Sequence, residues 1–178
     1  MSRGPIRIVN YDPQWPEFYR DYATDIVRVL DGQISKVAHV GSTSIQGLGA
    51  KPTIDISITV KDINAEQIIE QMRNLGYNYN SSYEKEMPFR RYFVMKEGDK
   101  HLVHVHIVPI NNQFHRDMIV FRNYLRKYRD IRDEYHLLKT RLANKYKENR
   151  TGYQEAKSEF IQNMLEMAKE ELVDVPGP

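Results

Sequence analysis

His39-Val40-Gly41-Ser42-Thr43-Ser44-Ile45-Gln46-Gly47-Leu48-Gly49-Ala50-Lys51-Pro52-Thr53-Ile54-Asp55-Ile56-Ser57-Ile58-Thr59-Val60 decides how this chain reads. From Lys51 to Val60 apolar and polar residues alternate, the period of a strand with one face in a core. Ile54, Ile56, Ile58 and Val60 form the apolar face; Thr53, Asp55, Ser57 and Thr59 form a polar face expected to be open or functional. Before the strand, Gly41, Ser42, Thr43 and Ser44 form a turn in which glycine permits close backbone approach and the hydroxyl side chains offer hydrogen bonds. Such a turn is either a tight loop or a cradle for phosphate oxygens. Lys51 adds a positive charge that can meet a phosphate, and Asp55 puts a carboxylate mid-strand. A carboxylate beside a phosphate-holding turn suits metal-assisted phosphoryl chemistry.

Outward from this stretch, Asp12-Pro13 reads as the cap and first position of a helix whose apolar residues run from Trp15 to Leu30. Asp31-Gly32 stops it, and Gln33–Val40 reads as a strand. Asn64–Leu75 reads as a helix capped by Asn64 or Asp62 and ended by Gly76. Tyr77–Tyr83 and Phe89–Lys96 read as weaker strands, and Glu97-Gly98-Asp99 as a hairpin turn. In the strand His101–Pro109, Val103, Val105 and Ile107 share one face, with Leu102, His104, His106 and Val108 on the other. Beyond Asn112 the period becomes helical: Arg116–Arg129, Asp133–Glu148 and Tyr153–Leu172, the last two separated by Thr151-Gly152, with Val173–Pro178 a frayed end. The order predicts an α+β fold in one unit over 1–178, a sheet core over 1–112 and a helical C-terminal extension over 113–172.

Of the 178 residues 40% are hydrophobic and 28% charged, ordinary for a globular domain. A net charge of +2 is too mild to argue for nucleic acid. With no cysteine there is no disulfide, thiol catalysis or cysteine zinc site. No apolar run approaches a membrane span and the first residues form no secretory signal, so a cytoplasmic protein without membrane contact is expected. Arg122, Arg126 and Arg132 interleave with Asp117, Asp130 and Asp133, which reads as a solvated helix surface with local ion pairs rather than a nucleic-acid stripe.

On the polar face, Asp55 with His104 and His106 can bind one divalent metal, for which imidazole favours zinc, manganese or iron over magnesium; alternatively, the histidines are structural. Neutral His106 can also serve as a general base. His39 reads as a core or edge histidine. Arg90 and Arg91 point to opposite faces of a strand, so one can enter the cleft; Arg91 is the candidate. Tyr135 with Lys139 and Tyr153 with Lys157 fall at helical spacing, where tyrosine can stack on a base and lysine meet a phosphate, or the pair can simply cover a helix edge.

The run His39–Leu48 with Lys51–Ile56 resembles the signature of the GrpB family, and the match continues at His104-Val105-His106, Phe121–Leu125, Tyr135 with Lys139, and Tyr153 with Lys157. The resemblance implies a polymerase-beta-like nucleotidyltransferase fold, a mixed sheet flanked by helices with a helical extension. Some relatives are joined to dephospho-coenzyme A kinase, which implies nucleotide or cofactor metabolism. The superfamily pattern wants two acids one residue apart and a third on a later strand. Here Asp55 matches the first, Ser57 stands at the second, and His104 and His106 lie where the third belongs, so ordinary two-magnesium catalysis is not expected. The expected function is a nucleotidyltransferase-like protein acting on or binding a nucleotide or other phosphorylated small molecule. Its expected site is Asp55 and His106, with Gly41–Ser44, Lys51, Arg91, Lys139, Tyr153 and Lys157 holding the ligand, a divalent metal (magnesium, manganese or zinc) as cofactor and no redox cofactor. The alternative is a non-catalytic nucleotide- or partner-binding module on the same fold.

Overall fold

The computed structural model describes residues 5–173. Its elements run α1 (Trp15–Val29), β1 (Ile34–Val40), β2 (Ile54–Val60), α2 (Glu66–Asn74), β3 (Asn78–Tyr79), β4 (Arg91–Glu97), β5 (Lys100–Pro109), α3 (Gln113–Lys127), α4 (Arg129–Tyr146) and α5 (Arg150–Val173). Single 3₁₀ turns lie at Ser42–Ser44 and Ser81–Tyr83. The strands form one five-stranded sheet in the order β1-β2-β5-β4-β3. β2 and β5 run parallel and every other pairing is antiparallel, so the expected mixed sheet of an α+β fold is present.

The alternation in β2 and β5 is realised as read. Ile54, Ile56, Ile58, Val60, Val103, Val105 and Ile107 are buried under α1 and α2 with Trp15, Ile26, Leu30, Ile68 and Met72. Each buried aliphatic side chain of this kind contributes about 1.5–3 kcal/mol. The polar face is not open along its length. Ser57 and Thr59 are buried, because α3 lies across them and His115 Nδ1 pairs with Ser57 Oγ at 2.8 Å. Only the Asp55 end of that face opens to solvent. On its far side, Ile45 and Leu48 from the turn region pack with Leu125 and Tyr135 of the extension, so the helical tail grips the segment leading into β2.

Several local expectations are corrected. α1 starts at Trp15 with Pro16 in its first turn; Asp12 instead accepts the Gln14 N–H at 2.9 Å, and Pro13 lies outside the helix. Ala65 precedes α2 without a side-chain cap, while Asp62 accepts the Asn64 N–H at 2.9 Å and shapes the turn before it. The strand expected over Tyr77–Tyr83 stops at Tyr79, since Asn80 Oδ1 accepts the Ser82 N–H at 3.2 Å and turns the chain. The break between α4 and α5 falls at Lys147–Asn149, where Lys147 has a positive φ of 28°, and not at Thr151-Gly152. Gly152 lies inside α5, at a position where a Cβ would stand 2.7 Å from the Tyr146 ring, so glycine fits there without breaking the helix. Val173 closes α5; residues 174–178, expected to fray, lie outside the described residues. Among the described residues no helix is long and apolar enough to cross a membrane.

Candidate functional site

The turn after β1 is built against Asp55. Gly41 has φ 69° and ψ −175°, and Ser44 folds back on it, its N–H (3.2 Å) and Oγ (2.6 Å) both donating to the Gly41 carbonyl. The close approach that glycine allows is to the protein itself: a Cβ on Gly41 would stand 2.4 Å from Asp55 Oδ2. Behind the turn, His39 stacks on Tyr19 at 4.6 Å and pairs with Thr43 Oγ1 at 3.0 Å, so it is a core histidine. The helical extension then clamps the segment through successive carbonyls. Arg122 Nη1 donates to His39 O (2.9 Å), Arg126 Nε to Ser44 O (3.0 Å), Arg132 Nη1 to Gln46 O (3.0 Å) and Lys139 Nζ to Gly49 O (2.6 Å). These arginines, expected to form a solvated surface with local ion pairs, fasten the turn instead. Arg132 combines that with an ion pair to Asp133 (2.8 Å).

Asp55, His104 and His106 share the face, as their register requires. They do not converge as a ligand set. His104 Nδ1 bonds Asp55 Oδ1 at 3.1 Å, and its Nε2 is taken up by His101 Nδ1 at 2.8 Å. His106 turns Nδ1 toward Arg90 Nη1 at 3.5 Å. Among the described residues no three histidine or carboxylate side chains are grouped to hold a metal ion. The place of a second acid, Ser57, is sealed under α3. A three-ligand metal centre and a two-metal centre therefore do not fit these residues. Burial, the largest influence on Asp55, pushes its pKa up, but the hydrogen bond from His104 and the charges of His104, His106 and Lys157 outweigh it and hold the carboxyl below its ordinary value. Burial lowers His106 to about 4, with Arg90 and His104 acting the same way against Asp55. At that value His106 is neutral near pH 7 and a weak base, better suited to facing Arg90 than to taking a proton.

His39 is likewise lowered to about 4, mainly by burial. Both imidazoles start from 6.5, so between pH 6.5 and about 4 the unfolded chain binds more protons than the folded one. Their contribution is fully present above pH 6.5 and is lost as pH falls through that window, on the order of 2 kcal/mol for each. Urea unfolding at about pH 7 and about pH 4.5 should show the loss, and His39→Gln should reduce the pH slope; an unchanged slope overturns the assignment of His39.

The opening of this face is a cleft of 500 Å³. It gathers Ser42, Thr43, Lys51, Asp55, His104, His106, Lys139, Tyr153 and Lys157, nine of the residues expected from sequence. Gly41 and Ser44 support the turn without lining the cleft, and Ser44 faces another hollow beside Arg126 and Arg132. Arg91 is a correction: its guanidinium donates to Asn64 Oδ1 and Pro88 O, both at 3.0 Å, away from the cleft. Arg90, on the turn before β4, enters instead and lies 5.1 Å from the Tyr92 ring centre and 5.5 Å from those of Tyr83 and Phe114. The tyrosines of the helical pairs are not free base platforms. Tyr135 and Tyr153 are buried, and each lies under its own lysine, at 4.8 Å for Lys139 and 4.9 Å for Lys157. Burial, then the charge of Lys157, lowers Lys139 to about 7; burial also lowers Lys157, which Asp55 pulls back up. Sequence reading missed Arg90, Tyr83, Glu86 and Tyr92 as lining residues. The opposed Arg90-Arg91 pair was a usable signal for the first; Tyr83 and Glu86 sit on an aperiodic turn that carries none.

The five-stranded mixed sheet with its flanking helices has a nucleotidyltransferase-like fold. A solved cytoplasmic RNA terminal U-transferase shares this fold at a TM-score of 0.51 and 14% identity, covering 75% of this chain and 40% of that one. The family model described as GrpB protein matches residues 5–167, and the chain belongs to the GrpB family. The crystal structure of the conserved protein GrpB from Enterococcus faecalis matches at a TM-score of 0.85 and 30% identity, covering 94% of this chain and 100% of that one. The UPF0157 protein YqkA of Bacillus subtilis is 35% identical over 165 residues, which is 92% of this chain but 47% of YqkA, so the chain spans about half of that relative's length.

Proposed function

We propose that the cleft binds a nucleotide or another phosphorylated small molecule. One observation carries this reading: Lys51, Arg90, Lys139 and Lys157 converge in one cleft, two of them lysines whose pKa burial lowers, beside the Ser42-Thr43 turn. Keeping ammonium groups out of water is costly unless an anion answers them. The phosphates then meet Lys157, Lys139 and the Ser42-Thr43 turn, while the exposed ring of Tyr83, beside Arg90, offers a stacking surface for a base.

Nucleotidyl or phosphoryl transfer is the second reading, favoured by the ionised Asp55 held by His104. If transfer occurs, Asp55 is the single carboxylate available to a cation that the ligand's own phosphates also hold. Asp55→Asn separates the two readings. Without a bridging cation, removing a negative charge beside a phosphate site tightens anion binding; with one, the metal-dependent part of binding and any turnover disappear. Nucleotides should be titrated calorimetrically with and without magnesium, manganese or zinc, on wild type, Asp55→Asn and Lys157→Met. Binding that Lys157→Met weakens supports the cleft reading, and equal binding by wild type and Lys157→Met overturns it. Turnover that Asp55→Asn abolishes selects transfer; binding without turnover under every metal selects the module.

A further inference from the structure

Beside the cleft lies a second hollow of 360 Å³, and the two share Lys51 and Thr53 as their common wall. The hollow is cationic: Arg7, Lys51, Lys100 and Arg150 line it against one carboxylate, Asp99. The backbone positions that carry these side chains are anchored. Arg7 sits between Ile6, whose N–H bonds Lys147 O, and Val9, which exchanges two hydrogen bonds with Ala50, all at 2.9 Å. Lys100 opens β5 at its hairpin turn, and Arg150 opens α5. The wall is braced by Thr53 Oγ1, which donates to His101 O at 3.1 Å. From His101, which lines the hollow, a chain of imidazoles reaches through His104 to Asp55 in the cleft.

We propose that this hollow is a second anion subsite, and that the cleft's ligand carries two separated anionic groups joined across Lys51. The proposal rests on the reading of the cleft as a phosphate site and gives that site's ligand a chemical class. Cations outnumber carboxylates in both concavities, with Lys51, Arg90, Lys139 and Lys157 against Asp55 and Glu86 in the cleft and four cations against Asp99 in the hollow, so both favour anions, and guanidinium groups match phosphate or carboxylate oxygens in pairs. Lys51, shared by both walls, would stand beside the bridge of such a ligand. Joining two anionic groups in one molecule makes the second binding event intramolecular, so a two-ended ligand gains over its separate halves.

The test uses the full chain, amide NMR, and inorganic phosphate and tripolyphosphate as probes. Phosphate should shift one set of amides around Ser42, Thr43 and Gln154 and a second around Asp99, Lys100 and His101. Arg7→Ser/Lys100→Ser, two exposed positions, should silence the second set, keep the first, and weaken tripolyphosphate by about tenfold. The charge-matched control Arg20→Ser/Lys61→Ser, also exposed, should stay within about twofold of wild type. An unmoved second set, or equal weakening by both double variants, overturns the second subsite while leaving the cleft reading intact if the first set still responds. Response at the hollow with a silent cleft overturns the reading of the cleft, and the two-group ligand with it.

Discussion

Gly41→Ala should cost about 3–5 kcal/mol of stability, a large loss for a single added methyl group. Two penalties act together. The backbone at φ 69° and ψ −175° lies in a region essentially reserved for glycine. The new Cβ would also stand 2.4 Å from Asp55 Oδ2 and 3.0 Å from Asp55 Cβ. Asp55 has little room to retreat, because β2 is paired to β1 on one side and to β5 on the other, and His104 holds its other oxygen at 3.1 Å. Urea unfolding of Gly41→Ala, Asp55→Gly and the double variant separates the terms. The double variant should recover the part due to contact and leave the backbone part. A single-variant loss below about 1 kcal/mol would show that the turn relaxes freely, and the description of Gly41 as packed against Asp55 would be wrong.

That packing explains which parts of the site are legible in the sequence. Period-two alternation placed Asp55, His104 and His106 on one face, because side-chain direction in a strand is local geometry. The presence of three tail helices was legible for the same reason. What covers a face is not local. Ser57 carries the same pattern as Asp55, yet α3 buries it under His115 while leaving Asp55 at the opening. The role of Gly41 was half-legible: the glycine was recognisable as a site of close approach, and the group that approaches it within the protein is the Asp55 carboxylate. The cations of the extension divide in a way no spacing reveals. Arg122, Arg126 and Arg132 bind carbonyls more than eighty residues distant in sequence, while Lys157, with no carbonyl partner among the described residues, faces the cleft. Arg90 and Arg91 were a choice between two directions, and a turn in place of a strand start decided it.

Lys139→Met should raise stability and weaken ligand binding together. Lys139 is 2% exposed, and its ammonium has one carbonyl and the face of Tyr135 for company. Burial, with Lys157 nearby, lowers its pKa from 10.5 to about 7. The folded state therefore binds fewer protons than the unfolded chain between about pH 7 and pH 10.5, and wild-type stability should rise with pH across that window. Below about pH 7 both states hold the proton and the whole penalty is present. Methionine keeps the shape and removes the charge. The gain is offset by the unpaired Gly49 carbonyl and the lost cation–π contact, each about 1 kcal/mol, leaving a net stabilisation on the order of 2 kcal/mol near neutral pH. The alkaline rise should vanish in the variant. A lysine that served stability alone would do the reverse, since its loss would lower the unfolding midpoint and leave ligand affinity unchanged. Ligand binding supplies the other sign. An anion beside Lys139 favours its charged form, so binding near pH 7 to 8 should take up a fraction of a proton. Calorimetry of nucleotide or tripolyphosphate binding in buffers of different ionisation enthalpy reads that uptake in wild type and should find it missing in Lys139→Met. A variant that is both more stable and a poorer binder places the buried ammonium in the ligand site, with stability given up for binding; a destabilised variant with unaltered binding overturns that placement.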